Sequence, residues 1–127
     1  MKEKFQLEYV LNNFSINILW NSISTPVGLA EWFAEKVTVD DNIYTFQWGK
    51  SSQSAELIHN RMGSYMQFRW LDDDDEQKTY FEFRISVMEL TNDVILTITD
   101  FAEPEEKEEL IDLWNNEVGK LRKAYGV

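Results

Sequence analysis

Apolar and polar residues alternate along much of the chain, and this alternation predicts β-strands. The first alternating stretch runs from Phe5 to Leu11, with Leu7 and Tyr9 on the same face and Gln6 and Glu8 on the other. A period of two is typical of a half-buried strand. The same period recurs from residue 36 to residue 101, where turn residues divide it into six further strands. These strands are predicted near residues 36–40, 43–49, 53–60, 64–71, 79–88 and 93–101.

Between the first strand and this long alternating region, the pattern becomes helical. Ser15 is placed to cap a helix whose apolar residues recur at i, i+3, i+4 and i+7, namely Ile16, Leu19, Trp20 and Ile23. Thr25 followed by Pro26 indicates the start of a second short helix, because proline is tolerated at the first helical position. Its predicted apolar stripe consists of Leu29, Trp32 and Phe33.

The last quarter of the chain predicts one long amphipathic helix that opens at Pro104. Glutamates follow Pro104, basic residues occupy the final turn, and Gly126 lies just beyond. This order complements the helix dipole at both ends. The helix carries an apolar stripe of Leu110, Ile111, Trp114, Val118, Leu121 and Tyr125. Because that stripe must be buried, we expect the helix to lie on the concave face of the sheet.

The short connections between the predicted strands favour consecutive antiparallel hairpins. The expected fold is therefore α+β: a seven-stranded curved antiparallel sheet around a long C-terminal helix, with two short helices after the first strand. This order, β-α-α-β6-α, is the helix-grip layout. We expect a single domain over residues 1–127, since a chain of this length has room for one.

Specific residues add a family resemblance to this layout. Trp20, the Thr25–Pro26 pair and the Trp32–Phe33 pair resemble the opening helices of the START-like (SRPBCC, helix-grip) superfamily, in the branch related to the activator of the heat-shock chaperone ATPase. Residues 114–125 resemble the closing helix of that branch. The resemblance implies a cavity between sheet and helix that takes lipids, sterols, polyketides or other apolar molecules. One departure is that residues 35–38 enter a strand directly, without the branch's glycine-rich stretch, which favours a smaller cavity.

The composition of the chain indicates which chemistry and which cellular location to expect. The chain has no cysteine, which excludes disulfides, thiolate metal sites and a thiol nucleophile. No run approaches the roughly 20 apolar residues of a membrane helix, and the first residues do not resemble a signal peptide. We therefore expect a cytoplasmic protein with no membrane insertion. We predict no cofactor and no bound metal, and a monomer or weak homodimer.

The net charge of −11 argues against nucleic acid as a partner, because so acidic a surface repels phosphate backbones. The densest acidic run, residues 72–76, does not match a calcium loop: the sixth position counted from Asp72 is Gln77 and the twelfth is Phe83, where Gly and Glu are needed. A solvated hairpin tip explains this run better.

Aromatic residues supply the candidate binding site. The side chains predicted to line the cavity are Trp48, His59, Phe68, Trp70, Phe83, Trp114 and Val118. The residues predicted to dock the short helices, and to gate the cavity, are Trp20, Trp32 and Phe33. Candidate polar groups include Gln67, Arg69 and Arg84, although both arginines could instead pair with Glu56 or Glu82 at the surface. The same rings could equally fill the core and leave no pocket.

Three functions remain open at this stage. The first is non-covalent binding of a small hydrophobic or amphipathic molecule under the last helix. The second is a protein-interaction module, which would use the acidic helix face of Glu105, Glu106 and Glu109 or the acidic hairpin tip. The third is a cyclase-like or hydrolase-like enzyme. His59 is the only histidine, and no residue that would orient its ring is identifiable, which counts against catalysis.

Overall fold

A computed structural model describes residues 1–73 and 78–126, and its elements follow the predicted order. The strands are β1 (Glu3–Leu11), β2 (Lys36–Asp40), β3 (Ile43–Trp48), β4 (Ser51–Arg61), β5 (Tyr65–Trp70), β6 (Phe81–Val87) and β7 (Val94–Ala102). The helices are α1 (Ile16–Ser24), α2 (Pro26–Leu29) and α3 (Lys107–Tyr125), with a 3-10 turn at Pro104–Glu106. The predicted helix-grip fold is confirmed.

The strands form one antiparallel sheet in the order β1-β7-β6-β5-β4-β3-β2. From β2 to β7 each strand pairs with its neighbour in sequence, which is the predicted meander. Strand β1 pairs with β7 and is one edge strand of the sheet. The register places Leu7 opposite Ile98 and Phe83 opposite Ile98 on the other side. The apolar faces of these strands therefore coincide and form one continuous inner surface.

Side-chain caps begin both short helices as the sequence predicts. Ser15 Oγ accepts a hydrogen bond from the Ile18 amide at 3.4 Å, and Thr25 Oγ1 accepts one from the Gly28 amide at 2.9 Å. The extent predicted for α2 is wrong, however. The helix ends at Leu29, and Trp32 and Phe33 lie in the turn that follows. The chain has to bend here, because by residue 35 its amide already donates to the Gln47 carbonyl of the sheet.

Gly28 allows the two short helices to cross at very close range. A Cβ atom at this position would lie 2.0 Å from the Asn21 carbonyl oxygen and 2.7 Å from Ser22 Cα, both of which are backbone atoms of α1. No side chain can share that space, so only glycine fits the crossing. The tandem arrangement of α1 and α2 thus depends on one residue.

Helix α3 packs across the inner face of the sheet. Trp114, Val118 and Leu121 are buried on its apolar stripe, and the helix ends at Gly126, whose φ of 69° is in the left-handed region. The predicted C-terminal glycine signal is therefore correct. The first turn differs from the prediction only in being a 3-10 turn that leads into the α-helix.

The core between sheet and α3 is largely aromatic, and Phe33 lies at its centre. Its ring stacks on Trp114 with centroids 5.5 Å apart and an interplanar angle of 14°. It meets Phe46 edge-on at 4.8 Å. Such pairs contribute roughly 0.5–1.5 kcal/mol beyond the area they bury. The turn after α2 is thereby anchored to both the sheet and the last helix.

Within the ranges 1–73 and 78–126, the structure contains no helix with the length and apolar character needed to cross a membrane.

Candidate functional site

An open cleft of about 940 Å³ lies between one end of the sheet and helix α3. Six aromatic residues contribute to its wall: Phe33, Trp48, Trp70, Tyr80, Phe101 and Trp114. Leu110 and Leu113 of α3 add aliphatic surface opposite the sheet. Its volume lies at the upper end of the range of small-molecule pockets, roughly 300–1,000 Å³.

The topology explains why these aromatic rings meet. In an antiparallel meander alternate strands run in the same direction, so the C-terminal ends of β3, β5 and β7 lie at the same end of the sheet. Trp48 is the last residue of β3 and Trp70 is the last residue of β5. Their ring centroids are 6.3 Å apart. The Trp48 indole N–H also donates to the Phe33 carbonyl at 2.7 Å, which ties this wall of the cleft to the turn after α2.

Asp100 places a carboxylate in the aromatic wall near the end of β7. Its Oδ1 accepts from the Phe101 amide at 2.8 Å, and its Oδ2 accepts from the Trp114 indole N–H at 2.9 Å. Burial raises the pKa of Asp100 to about 6, although both hydrogen bonds and the Lys2 ammonium act in the opposite direction. Desolvation of the charged form outweighs the donors that stabilise it.

Glu117 is a second carboxylate within the cleft lining, one helical turn beyond Trp114 on α3. Its Oε1 accepts from Lys120 Nζ at 3.4 Å. Its Oε2 is buried without a hydrogen-bond partner in the part of the chain that the structure describes. Burial raises the pKa of Glu117, against the opposing charge of Lys120.

Asp73 is a third carboxylate of the cleft lining. Asp73 accepts a 2.7 Å hydrogen bond from the Thr79 hydroxyl through Oδ2, and its Oδ1 lies 3.6 Å from Lys2 Nζ. Both Lys2 and Thr79 also line the cleft. The resulting cleft has an apolar, aromatic wall and a few fixed polar groups, which is the arrangement typical of ligand pockets.

Four residues of the predicted site come together at this cleft. They are Trp48, Trp70 and Trp114 from the predicted lining, and Phe33 from the predicted gate. Phe33 and Trp114 are buried at the base of the cleft lining, whereas Trp48 and Trp70 are half-buried. Whether these residues bind a ligand remains a prediction.

Three other residues of the predicted lining lie in the core instead. Phe68 and Phe83 are fully buried, and Val118 is 1% exposed. The alternating pattern correctly puts Phe68 on the same face as Trp70. Alternation does not indicate, however, which part of that face is covered and which part stays open. The Phe68 ring stacks on Phe81 at 5.0 Å, in the middle of the aromatic core.

The expectation that His59 points inward is wrong, because a β-bulge intervenes. The register of β4 on β5 shifts between Leu57 and His59. Leu57 pairs with the inner-face residue Phe68, whereas His59 pairs with Gln67, which belongs to the outer face. His59 is consequently exposed and does not line the cleft. Since one additional residue reverses every side chain after it, alternation alone could not reveal this change.

The remaining polar candidates belong to the outer face as well. Gln67 Nε2 donates to Glu82 Oε1 at 3.1 Å, and Arg84 Nε donates to Glu82 Oε2 at 3.1 Å. The Arg84 guanidinium also lies over the Tyr65 ring at 4.3 Å. The surface alternative is therefore the correct one for Arg84. Arg69 follows Gln67 at a spacing of two and is likewise not part of the cleft lining.

Of the three predicted gate residues, only Phe33 reaches the main cleft. Trp32 is buried and donates its indole N–H to the Ser22 carbonyl at 2.8 Å, so it fastens the turn to α1. It also lines a second, smaller pocket of about 190 Å³. Trp20 is half-buried against the core and lines neither cavity.

Sequence reasoning missed Asp100 and Glu117, although both carry a readable signal. Asp100 continues the inward series of Leu96 and Ile98 at a spacing of two. Glu117 lies three residues after Trp114 and interrupts the apolar stripe of α3. A carboxylate on a face that is otherwise apolar is costly to bury, so its presence indicates a specific environment.

The acidic run at 72–76 is only partly described. Asp72 and Asp73 belong to the described residues, while residues 74–76 lie outside them, so the hairpin-tip interpretation stays a prediction. Among residues 1–73 and 78–126, no group of three or more His, Asp or Glu side chains converges in a way that could hold a metal ion.

Comparison with known proteins places the fold in a family. A model of the START-like superfamily domain matches residues 1–127, which is the entire chain. The chain belongs to the START-like superfamily. This membership confirms the predicted superfamily, and the cleft between sheet and α3 occupies the place where the resemblance implies a cavity. The search of curated proteins gave no match.

Three solved structures are similar to this chain over nearly its whole length. BfR322 from Bacteroides fragilis is 49% identical, with 97% of this chain and 90% of that chain covered and a TM-score of 0.68. The Aha1 dimer from Colwellia psychrerythraea is 12% identical over 96% of this chain and 95% of that one, with a TM-score of 0.80. DynU16, from the dynemicin biosynthetic locus, is 15% identical over 98% of this chain but 47% of that chain, with a TM-score of 0.80. The last two similarities concern the fold alone.

Proposed function

We propose that this START-like chain binds a small hydrophobic or amphipathic molecule non-covalently in the cleft between the sheet and α3. The observation that carries the proposal is the cleft itself: about 940 Å³ of open space whose wall includes three tryptophans, with carboxylates at fixed positions. Exposed indole rings are unfavourable in water, and covering them with a ligand removes that apolar surface from solvent.

Burial of apolar area would supply most of the affinity. The rings of Trp48, Trp70 and Trp114 would contact the apolar part of the ligand, opposite Leu110 and Leu113 of α3. The polar groups would fix its orientation, since Asp100 is held in place by two hydrogen bonds. Three further residues of the predicted lining, Phe68, Phe83 and Val118, support the cleft from the core.

Leu113 offers a clean test of this proposal. It lines the cleft and is 51% exposed, so Leu113→Gln should change the cleft surface without disturbing the core. The matched control is Leu90→Gln, because Leu90 is 98% exposed and does not line the cleft. Octanol serves as the probe, and its binding is followed by tryptophan fluorescence and by thermal unfolding.

We expect octanol to raise the unfolding temperature of the parent protein and of Leu90→Gln by the same amount. Leu113→Gln should weaken octanol binding by about threefold to tenfold, because part of the apolar contact is lost. If octanol binds neither the parent protein nor Leu90→Gln, the proposal is wrong. It is also wrong if the two substitutions weaken octanol binding equally, because the cleft is then not the binding site.

A second candidate is a protein-interaction module, and the exposed acidic residues of the 3-10 turn and of the first turn of α3 favour it. Glu105, Glu106, Glu108 and Glu109 are all exposed there. The resemblance to the chaperone-activator branch and the fold similarity to the Aha1 dimer motivate the same candidate. A partner recognised through this surface should be basic, and its affinity should fall as salt is added.

A triple charge reversal at Glu105, Glu106 and Glu109 tests this second candidate. The measurement is stimulation of the heat-shock chaperone ATPase of the same host, at low and high ionic strength. Stimulation that is lost both on charge reversal and in high salt would support the interaction module. Stimulation that is absent, or that is unaffected by the reversal, would exclude this surface. Sedimentation of the same samples would test the predicted monomer or weak homodimer.

A further inference from the structure

The cleft wall is strongly asymmetric in charge. Among its described residues, six carry carboxyl groups, whereas one, Lys2, carries a cation. The six are Asp73, Asp100, Glu106, Glu109, Asp112 and Glu117. The Lys2 ammonium already lies 3.6 Å from Asp73. An anionic ligand would therefore meet a field of its own sign, while a cationic ligand would be drawn in.

Two of these carboxylates have unused capacity to accept hydrogen bonds. An ionised carboxylate offers about four acceptor positions. Asp100 receives one donor at each oxygen, from Phe101 and Trp114. Glu117 is only 7% exposed, and its buried Oε2 has no hydrogen-bond partner among the described residues. A buried acceptor without a donor is costly, and a ligand that brings donors would relieve that cost.

The aromatic rings next to these carboxylates distinguish an organic cation from a metal ion. The Trp114 indole N–H donates a hydrogen bond to Asp100, and Trp48 and Trp70 form the adjoining wall. The faces of indole rings attract ammonium and guanidinium groups, and apolar rings also accommodate an alkyl or aryl chain. Metal ions need several converging ligands instead, and no such group occurs within residues 1–73 and 78–126.

From these observations we infer that the ligand of the cleft is a cationic amphiphile, in which an amine or related ammonium group is bound by Asp100 and an apolar chain lies against the tryptophans. This inference rests on the proposed function and specifies the ligand class of the same site. It assigns to Asp100 the anchoring of the ammonium group, with Glu117 and Asp73 adding to the attractive field.

A series of probes with one chain and three head groups tests the inference. Octylamine, octanol and octanoate share the same apolar chain, and at pH 7.5 their heads are cationic, neutral and anionic. Their dissociation constants are measured by titration calorimetry on the intact protein. We expect octylamine to bind about tenfold more tightly than octanol, as a charged hydrogen bond would provide, and octanoate to bind most weakly.

Asp100→Asn separates the charge of this residue from its shape. An amide at residue 100 still presents an oxygen to the Trp114 indole N–H. We expect the variant to lose most of the preference for octylamine over octanol while keeping its affinity for octanol. The matched control is Glu89→Gln, which removes the same charge at an exposed position outside the cleft and should keep the full preference.

The possible outcomes separate this inference from the function on which it rests. If octanol binds as tightly as octylamine, or octanoate binds most tightly, the cationic ligand class is wrong and the binding function stands. If Glu89→Gln reduces the preference as much as Asp100→Asn does, the preference reflects net charge only and the Asp100 anchor is overturned. If none of the three probes binds, the inference and the proposed function fail together.

Discussion

The indole N–H of Trp114 donates a 2.9 Å hydrogen bond to Asp100 Oδ2, which joins the last helix to the end of the last strand inside the cleft. This single bond has both structural and electrostatic consequences. It holds the largest ring of α3 against the sheet, and it directs a carboxylate toward the aromatic wall. The bond brings together a residue that the sequence predicts and one that sequence reasoning missed.

Replacing Trp114 by phenylalanine should expose the contribution of this bond. Trp114→Phe keeps an aromatic ring but removes the N–H donor from an ionised carboxylate. We expect the free energy of unfolding at pH 8 to fall by about 1.5–3 kcal/mol, the usual contribution of a hydrogen bond to a charged group. At pH 4 the loss should be smaller, because Asp100, whose pKa is raised to about 6, is then mostly protonated. Urea denaturation at both pH values provides the measurement.

Trp32→Phe is the matched control for that experiment. The Trp32 indole N–H donates to a neutral acceptor, the Ser22 carbonyl, at 2.8 Å. Its removal should therefore cost a similar amount at both pH values. A loss for Trp114→Phe that is equally independent of pH would show that the charge of Asp100 plays no part in this bond.

The pH dependence of stability should carry the signature of Asp100. Burial raises its pKa to about 6 in the folded protein, above the ordinary value of 3.8. Between these values the folded state holds a proton that the unfolded state has lost, so the contribution of Asp100 to stability is present below pH 4 and is lost as the pH rises through 6. The shift corresponds to at most about 3 kcal/mol. Asp73 raises this pKa, whereas Lys2 and the N–H donors of Phe101 and Trp114 lower it.

Asp100→Asn should remove this component. Every other carboxylate of the chain is common to the two proteins, so the informative quantity is the difference between their stability curves. We expect the variant to gain stability relative to the parent as the pH rises from 4 to 7. Parallel curves for the two proteins in urea would contradict a raised pKa at Asp100.

The two glycines inside helices should respond to alanine in opposite directions. A Cβ at Gly28 would lie 2.0 Å from the Asn21 carbonyl oxygen, whereas a Cβ at Gly119 of α3 would meet nothing within 4 Å. Gly28→Ala should therefore destabilise the fold by about 1–3 kcal/mol or more, because α1 and α2 must separate. Gly119→Ala should stabilise it by about 0.5–1 kcal/mol through helix propensity alone. Thermal unfolding of the pair checks both signs, and a neutral Gly28→Ala would show that the crossing is looser than described.

Phe68 and Trp70 share a strand face but should differ sharply on truncation. Phe68 is fully buried, so Phe68→Ala should cost about 3–5 kcal/mol. Trp70 is half-buried at the cleft, and Trp70→Ala should cost clearly less while weakening octanol binding. Chemical denaturation and octanol titration of the two variants test the distinction. Equal losses of stability with unchanged binding would place Trp70 in the core rather than in the site.

These residues also show how far the sequence alone could lead. The alternation of period two predicts both ends of all seven strands to within two residues, since burial of one face requires this alternation. It also identifies Trp48 and Trp70 as inward-facing, and the apolar stripe of the last helix does the same for Trp114. Alternation could not reveal that Phe68 is fully buried while Trp70 is half-buried at the cleft, because that depends on which part of the sheet the other elements cover.

Local irregularities were the other source of error. The bulge between Leu57 and His59 shifts the strand register by one residue and places the only histidine on the opposite face of the sheet. The end of α2 at Leu29 reflects a bend imposed by sheet pairing, which overrides the helical spacing of Trp32 and Phe33. Asp100 is different in kind, since its inward position follows from alternation. It was missed because carboxylates are expected at the surface.

The indole N–H resonances of the five tryptophans provide the most direct test of ligand binding in the cleft. Trp48, Trp70 and Trp114 line the cleft, whereas Trp20 and Trp32 do not. In nitrogen–proton correlation spectra recorded during an octylamine titration, we predict that the three cleft signals shift in a saturable manner and that the other two stay nearly unchanged. Saturable shifts confined to Trp20 and Trp32, or no saturable shift at all, would contradict the account.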